Sequence, residues 1–124
     1  MKPGKNVLLI DDDIHAAGSV RSVLESLGFQ VTVCENGEEA LQYSMDRVFD
    51  YILTDHDMPG MNGLELARRM RQRFPRAYLI GMSGSDKCDA FLFAGANWFI
   101  HKPVTLNKLR PIFGGLSRTD VPST

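Results

Sequence analysis

Acidic side chains follow two separate apolar segments of this 124-residue chain. Asp11, Asp12 and Asp13 come directly after the first segment, and Asp55 and Asp57 come after a later one. Carboxylates that lie close together raise one another's pKa unless a cation neutralises them. A small set of oxygen ligands is typical of Mg²⁺, which keeps several waters and often shares a phosphate. The pattern therefore predicts a magnesium site if the fold brings the two segments together.

A hydroxyl and an ammonium group extend this set. Ser83 follows the apolar segment 77–82, and Lys102 follows the segment 97–101. The hydroxyl is a neutral hydrogen-bond donor, and the lysine is a point charge for an anion. Carboxylates, a metal and a lysine together are typical of phosphoryl transfer, in which a carboxylate can be the nucleophile. Each residue alone has an ordinary structural explanation, and Asp13 has the position of a helix N-cap, so it is the joint placement that indicates a site.

The elements that must position these residues alternate along the chain. Short apolar segments predict strands at 7–10, 29–34, 51–54, 77–82 and 97–101. Amphipathic segments between and after them predict helices, among them 14–27, 86–94 and 105–113. This alternation predicts an α/β protein with a doubly wound, five-stranded parallel sheet. Ligands of such sheets bind beyond the carboxyl ends of the strands, which is where the candidate residues lie.

The second helix begins at an N-cap, Asn36, with Glu39 three residues later as in a capping box. Its apolar positions predict a buried stripe of Ala40, Leu41, Met45 and Val48. The last helix contains Pro111, which we expect to interrupt it and keep it short.

Composition excludes several classes of function. The chain has 14 basic and 15 acidic residues and a net charge of -1, which argues against direct nucleic-acid or membrane binding. The two cysteines form neither a disulfide framework nor a zinc motif. No apolar run approaches the roughly 20 residues that cross a bilayer. We expect a cytoplasmic protein with one domain at 1–113, followed by a polar tail or the start of a linker at 114–124.

Three motifs resemble the receiver domains of bacterial two-component response regulators. They are LIDDD at 9–13, LTDHDMPGMNG at 53–63 and FIHKP at 99–103. The match covers about residues 6–110, and the order and spacing of the three motifs make it specific. The resemblance implies a flavodoxin-like receiver fold with strand order 2-1-3-4-5.

The resemblance also implies a role for each acidic residue. Asp55 would accept a phosphoryl group from the phosphohistidine of a sensor histidine kinase or a phosphotransfer protein. Asp12 would bind Mg²⁺ directly, helped by the Asp55 carboxylate and the backbone carbonyl of Asp57. Asp11 would hold the metal or its waters. The domain would catalyse only its own phosphorylation and dephosphorylation, and would not be an enzyme with a separate substrate.

The remaining roles concern switching. Lys102 would pair with the phosphoryl oxygens, and Ser83 would be the switch hydroxyl that moves to them. Phe99 would turn inward with that movement, and the bond before Pro103 would be cis. A face made by the fourth helix, fifth strand and fifth helix would then signal to a downstream protein target.

Two alternatives remain open from the residues alone. One is a pseudo-receiver that keeps the fold, no longer switches and acts as a protein-binding module. The other is a metal-dependent phosphatase resembling the haloacid dehalogenase group, suggested by the sequence Asp55-His56-Asp57. The phosphatase group places its nucleophile on the first strand, whereas Asp55 follows the third predicted strand, so this alternative is the weaker one.

Overall fold

The structure is a computed structural model that describes residues 4–114. Within them, five strands alternate with five helices. In chain order the elements are β1 (Asn6–Ile10), α1 (Ile14–Ser26), β2 (Gln30–Cys34), α2 (Gly37–Ser44), β3 (Tyr51–Asp55), α3 (Gly63–Arg73), β4 (Tyr78–Ser83), α4 (Cys88–Ala94), β5 (Trp98–His101) and α5 (Leu106–Phe113). Residues 115–124 of the predicted tail lie outside the described part of the chain.

All five strands form one parallel sheet in the order β2-β1-β3-β4-β5. The predicted fold class and strand order are thus confirmed. The chain places β2 and β3 on opposite sides of β1, so the direction of winding reverses there. In doubly wound sheets such a reversal opens a crevice at the carboxyl ends of the strands.

Helices cover both faces of the sheet, which explains why the strands are apolar throughout. In β1, Leu8 and Ile10 contact one apolar cluster, whereas Val7 and Leu9 contact the other, as the alternation of a strand requires. The first cluster includes buried residues of α2, α3 and α4. The second includes buried residues of α1 and α5, among them Leu24 and Leu109.

The predicted stripe of the second helix is wrong at its far end. Met45 and Val48 are 77% and 70% exposed, because α2 ends at Ser44 and the helical spacing does not extend to them. Ser44 itself is buried, and its backbone oxygen accepts a hydrogen bond from Arg73 Nε. The predicted N-cap is confirmed, since Asn36 Oδ1 accepts a hydrogen bond from the backbone N–H of Glu39.

The last helix is short, as expected, but Pro111 does not interrupt it. α5 continues past the proline to Phe113 and is eight residues long. A proline removes only one backbone hydrogen bond, and here it lies close to the end of the helix. The buried side chains of Leu109 and Phe113 hold both sides of this position against the sheet.

Candidate functional site

Four strand ends bring the candidate residues to one edge of the sheet. Asp11 directly follows β1, Asp55 and Ser83 end β3 and β4, and Lys102 directly follows β5. These four strands are neighbours in the sheet in the order β1, β3, β4 and β5, and they run parallel. Residues separated by up to 91 positions in sequence therefore meet.

The carboxylates of three residues form a compact cluster. Asp11, Asp12 and Asp55 each offer an oxygen, and these oxygens all lie within 4.8 Å of one another. Asp11 and Asp55 are almost fully buried, at 3% and 4% exposure, whereas Asp12 is exposed. Two buried negative charges at this separation are costly unless positive charge compensates them.

Lys102 supplies part of that compensation. Its Nζ donates a hydrogen bond to Asp11 Oδ2 at 3.0 Å and lies 3.1 Å from Asp55 Oδ1. The peptide bond between Lys102 and Pro103 is cis, the isomer that the resemblance implies. One ammonium against three carboxylates leaves the cluster negative, so its chemistry fits an additional divalent cation with oxygen ligands.

The charges of the cluster shift the pKa values of its members. Burial first, and then the negative charge of Asp11, raise the pKa of the Asp55 carboxyl more than Lys102 lowers it. Burial opposes the charge of Lys102, but its hydrogen bonds and ion pairs with Asp11 and Asp55 outweigh burial and raise its pKa. The ammonium therefore remains charged, and Asp55 is a more basic carboxylate than an exposed one.

Two of the five acidic candidates do not join the cluster with their side chains. Asp13 is the N-cap of α1, where its Oδ1 accepts hydrogen bonds from the backbone N–H groups of His15 and Ala16. The bond from Ala16 is the main reason why the pKa of Asp13 is lowered. The Asp57 side chain is 76% exposed, and its Oδ1 lies 2.8 Å from Nδ1 of His56. The role that the resemblance implies for Asp57 involves only its backbone carbonyl.

The two predicted switch residues lie on β4 and β5. Ser83 is fully buried, and its Oγ lies 3.1 Å from Ser85 Oγ and accepts a hydrogen bond from the Ser85 N–H. Phe99 is half-buried, with its ring 5.8 Å from that of Phe91 and 5.0 Å from that of His101. The sequence interpretation missed Ser85, although the spacing Ser-x-Ser is typical of a side chain that binds the backbone two residues on.

This edge of a 2-1-3-4-5 sheet, with its carboxylates, lysine and hydroxyl, defines a receiver domain. The model of the response regulator receiver domain family matches residues 7–113, so the chain belongs to that family. It is 35% identical over 114 residues to the virulence sensor protein BvgS of Bordetella bronchiseptica, a match of 84% of this chain but 9% of that protein. It is 32% identical over 114 residues to two-component response regulator 24 of Arabidopsis thaliana, a match of 89% of this chain and 82% of that protein.

Solved structures share the fold. A response regulator from Burkholderia pseudomallei, with a phosphorylated aspartic acid, a calcium ion and citrate, is 26% identical with a TM-score of 0.80; the match covers 94% of this chain and 68% of that one. The receiver domain of a Pseudomonas aeruginosa sensor histidine kinase, with a magnesium ion in its active-site cleft, is 26% identical with a TM-score of 0.79. The match covers 89% of this chain and 94% of that one. None of the described helices could span a membrane.

Proposed function

We propose that Asp55 accepts a phosphoryl group from the phosphohistidine of a sensor histidine kinase or a phosphotransfer protein. The observation that supports this proposal most is the buried Asp55 carboxylate, which shares one cluster with Asp11, Asp12 and the ammonium of Lys102. The phosphorylated aspartic acid in the related Burkholderia pseudomallei structure agrees with it.

The transfer is a direct displacement at phosphorus. An oxygen of Asp55 attacks the phosphorus, a new O–P bond forms, and the P–N bond breaks as the imidazole leaves with its electron pair. Lys102 then pairs with the phosphoryl oxygens, which bring about two negative charges to the site. Ser83 is the hydroxyl donor that moves to the same oxygens. Positioning and charge neutralisation are the main contributions of the protein to such a step.

Mg²⁺ is the cofactor that this ligand set fits. Asp11, Asp12 and Asp55, together with the backbone carbonyl of Asp57, would hold it by oxygen atoms only. When bound, the cation neutralises charge on the carboxylates and on the phosphoryl oxygens. The related Pseudomonas aeruginosa receiver domain contains a magnesium ion in its cleft.

The output is a change in a protein-binding surface made by α4, β5 and α5. Phe93 on α4 is 93% exposed and Trp98 on β5 is 53% exposed. Aromatic side chains are enriched at protein interfaces, so their exposure on this face supports the proposal that a protein binds there. The domain catalyses only its own phosphorylation and dephosphorylation, and its downstream target is a protein.

Incubation with a small phosphodonor and Mg²⁺ tests the phosphoacceptor. The wild-type protein should gain the mass of one phosphoryl group, and Asp55→Asn should gain none. Asp57→Asn is the matched control, because its exposed side chain lies outside the cluster, and it should still be modified. A wild-type protein that stays unmodified and does not bind beryllofluoride would be a pseudo-receiver, and the proposal would be wrong.

A further inference from the structure

The proton of the Ser83 hydroxyl has one acceptor within the described part of the chain. Ser83 is fully buried, so water does not reach it. Its Oγ has two hydrogen-bond partners, the N–H of Ser85 and the Oγ of Ser85, each at 3.1 Å. Either hydroxyl of this pair could be the donor, but an N–H group cannot accept a hydrogen bond, so Ser85 Oγ is the acceptor that these contacts offer to the Ser83 proton. A buried hydroxyl without an acceptor is unfavourable, which makes Ser83 the donor of this pair.

We propose that Ser85 is a positioning residue that holds the Ser83 hydroxyl in the unphosphorylated state, an inference that rests on the function proposed above. In the phosphorylated state Ser83 donates its one proton to a phosphoryl oxygen. Its bond to Ser85 Oγ must then break, because the two acceptors compete for the same proton.

The loop is built so that this bond can break at small cost. Ser85 is exposed, so its hydroxyl can bind water after Ser83 has turned away. A methyl group added at Gly84 would meet no heavy atom within 4 Å, so the chain between the two serines has open space. Ser85 thereby sets the equilibrium between the two positions of Ser83 without touching the phosphoryl group.

Beryllofluoride binding in the presence of Mg²⁺ measures that equilibrium, because this ligand stands in for the phosphoryl group. Isothermal titration of Ser85→Ala should give an affinity about twofold to tenfold higher than wild type, since the state that competes with binding has lost a hydrogen bond. Ser85→Thr keeps the hydroxyl and should bind as wild type does. In a Ser83→Ala background, Ser85→Ala should change the affinity less than twofold.

The outcomes separate the two proposals. If wild type binds but Ser85→Ala binds equally or more weakly, the role of Ser85 is wrong and the phosphoacceptor proposal stands. If Ser85→Ala tightens binding equally with Ser83→Ala present, its effect does not act through Ser83, and the inference is again wrong. If wild type binds no beryllofluoride and gains no phosphoryl mass, both proposals are overturned.

Discussion

Asp55 lies in surroundings that disfavour its own charge. Burial and the neighbouring Asp11 raise its pKa, although Lys102 partly offsets both. A more basic carboxylate is a stronger nucleophile once it is ionised. The same residue therefore lowers the stability of the unliganded fold and increases reactivity toward phosphorus, a conflict that is common at functional sites.

Asp55→Asn should stabilise the unliganded protein at neutral pH. The folded pKa of Asp55 lies above its ordinary value of 3.8, so its contribution to stability is complete below that value and is lost as the pH rises through the folded pKa. The uncharged variant avoids this loss. We expect its free energy of unfolding to exceed that of wild type by on the order of 1 kcal/mol at pH 7, and the difference to shrink as the pH falls below 3.8.

Urea unfolding at several pH values measures this difference. Asp57→Asn, whose side chain is exposed, is the control and should stay within about 0.5 kcal/mol of wild type. A variant at position 55 that is less stable than wild type at pH 7 would show that Lys102 outweighs burial and Asp11.

The two cysteines should differ in reactivity. Cys34 is fully buried at the end of β2, and burial raises the pKa of its thiol to about 12, with a further contribution from Glu39. Cys88 is partly exposed at the start of α4. Because the thiolate is the reactive form, a thiol reagent at pH 8 should modify one cysteine rapidly and the other only after unfolding. Cys88→Ser should remove the rapid reaction, and two rapid equivalents in wild type would contradict the prediction.

At the scale of elements, one arginine of α3 binds the two connections that precede β4 and β5. Arg71 donates hydrogen bonds to the backbone oxygens of Gly95, Phe74, Pro75 and Ala77 and to Asn97 Oδ1. Asn97 Oδ1 also accepts from the backbone N–H of Leu79 at the start of β4. The end of α3, the start of β4 and the connection from α4 to β5 are thereby fixed to one another. Arg71 is half-buried, so it is not part of a solvated helix face.

Arg71→Ala should therefore destabilise the fold far more than a neighbouring arginine does. It removes the Arg71 donor from the partly buried carbonyl groups of Gly95 and Ala77, so we expect the free energy of unfolding to fall by about 2–4 kcal/mol. Arg69→Ala is the matched control on the same helix, since within residues 4–114 Arg69 makes only an exposed pair with Glu65, and its loss should cost less than about 1 kcal/mol. Equal losses in the two variants, measured by urea unfolding, would show that the Arg71 hydrogen bonds contribute little.

At the scale of the whole molecule, a net charge of -1 conceals a local excess of negative charge. Three carboxylates meet at one edge of the sheet, where the ammonium of Lys102 pairs with two of them. A cation that binds there binds the folded state alone, because the unfolded chain does not bring Asp11 and Asp55 together. Binding must then stabilise the entire domain through mass action.

Mg²⁺ should raise the thermal midpoint of the wild-type protein. A free Mg²⁺ concentration of about 100 times the dissociation constant should raise the free energy of unfolding by roughly 2.7 kcal/mol. Asp12→Asn should reduce this shift strongly, because it removes an exposed charge of the cluster. Asp13→Asn should keep it, since asparagine caps a helix as well as aspartate does. A shift that both variants retain would show that Mg²⁺ binds elsewhere.

Local sequence determined most of the architecture. Apolar runs such as 7–10 are long enough for a strand and too short for a helix, and the strand order followed from the family resemblance that the motifs support. The end of α2 could not be predicted in this way. In the sequence, Met45 and Val48 continue the apolar spacing of the helix, yet the helix ends at Ser44 and Phe49 is buried instead. The hydrogen bond from Arg73 of α3 to the Ser44 oxygen at this end is a long-range contact that local spacing does not show.

The sequence by itself also determined which residues stand at the strand ends, because that position depends on the strand alone. The tertiary structure decided which of them meet. It joined Lys102 to Asp11 across the sheet, turned Asp13 to the start of α1 and left the Asp57 side chain exposed. It also paired Ser83 with Ser85. These pairings depend on side-chain directions and on strands brought together by long-range folding, and neither is encoded in the spacing of residue types.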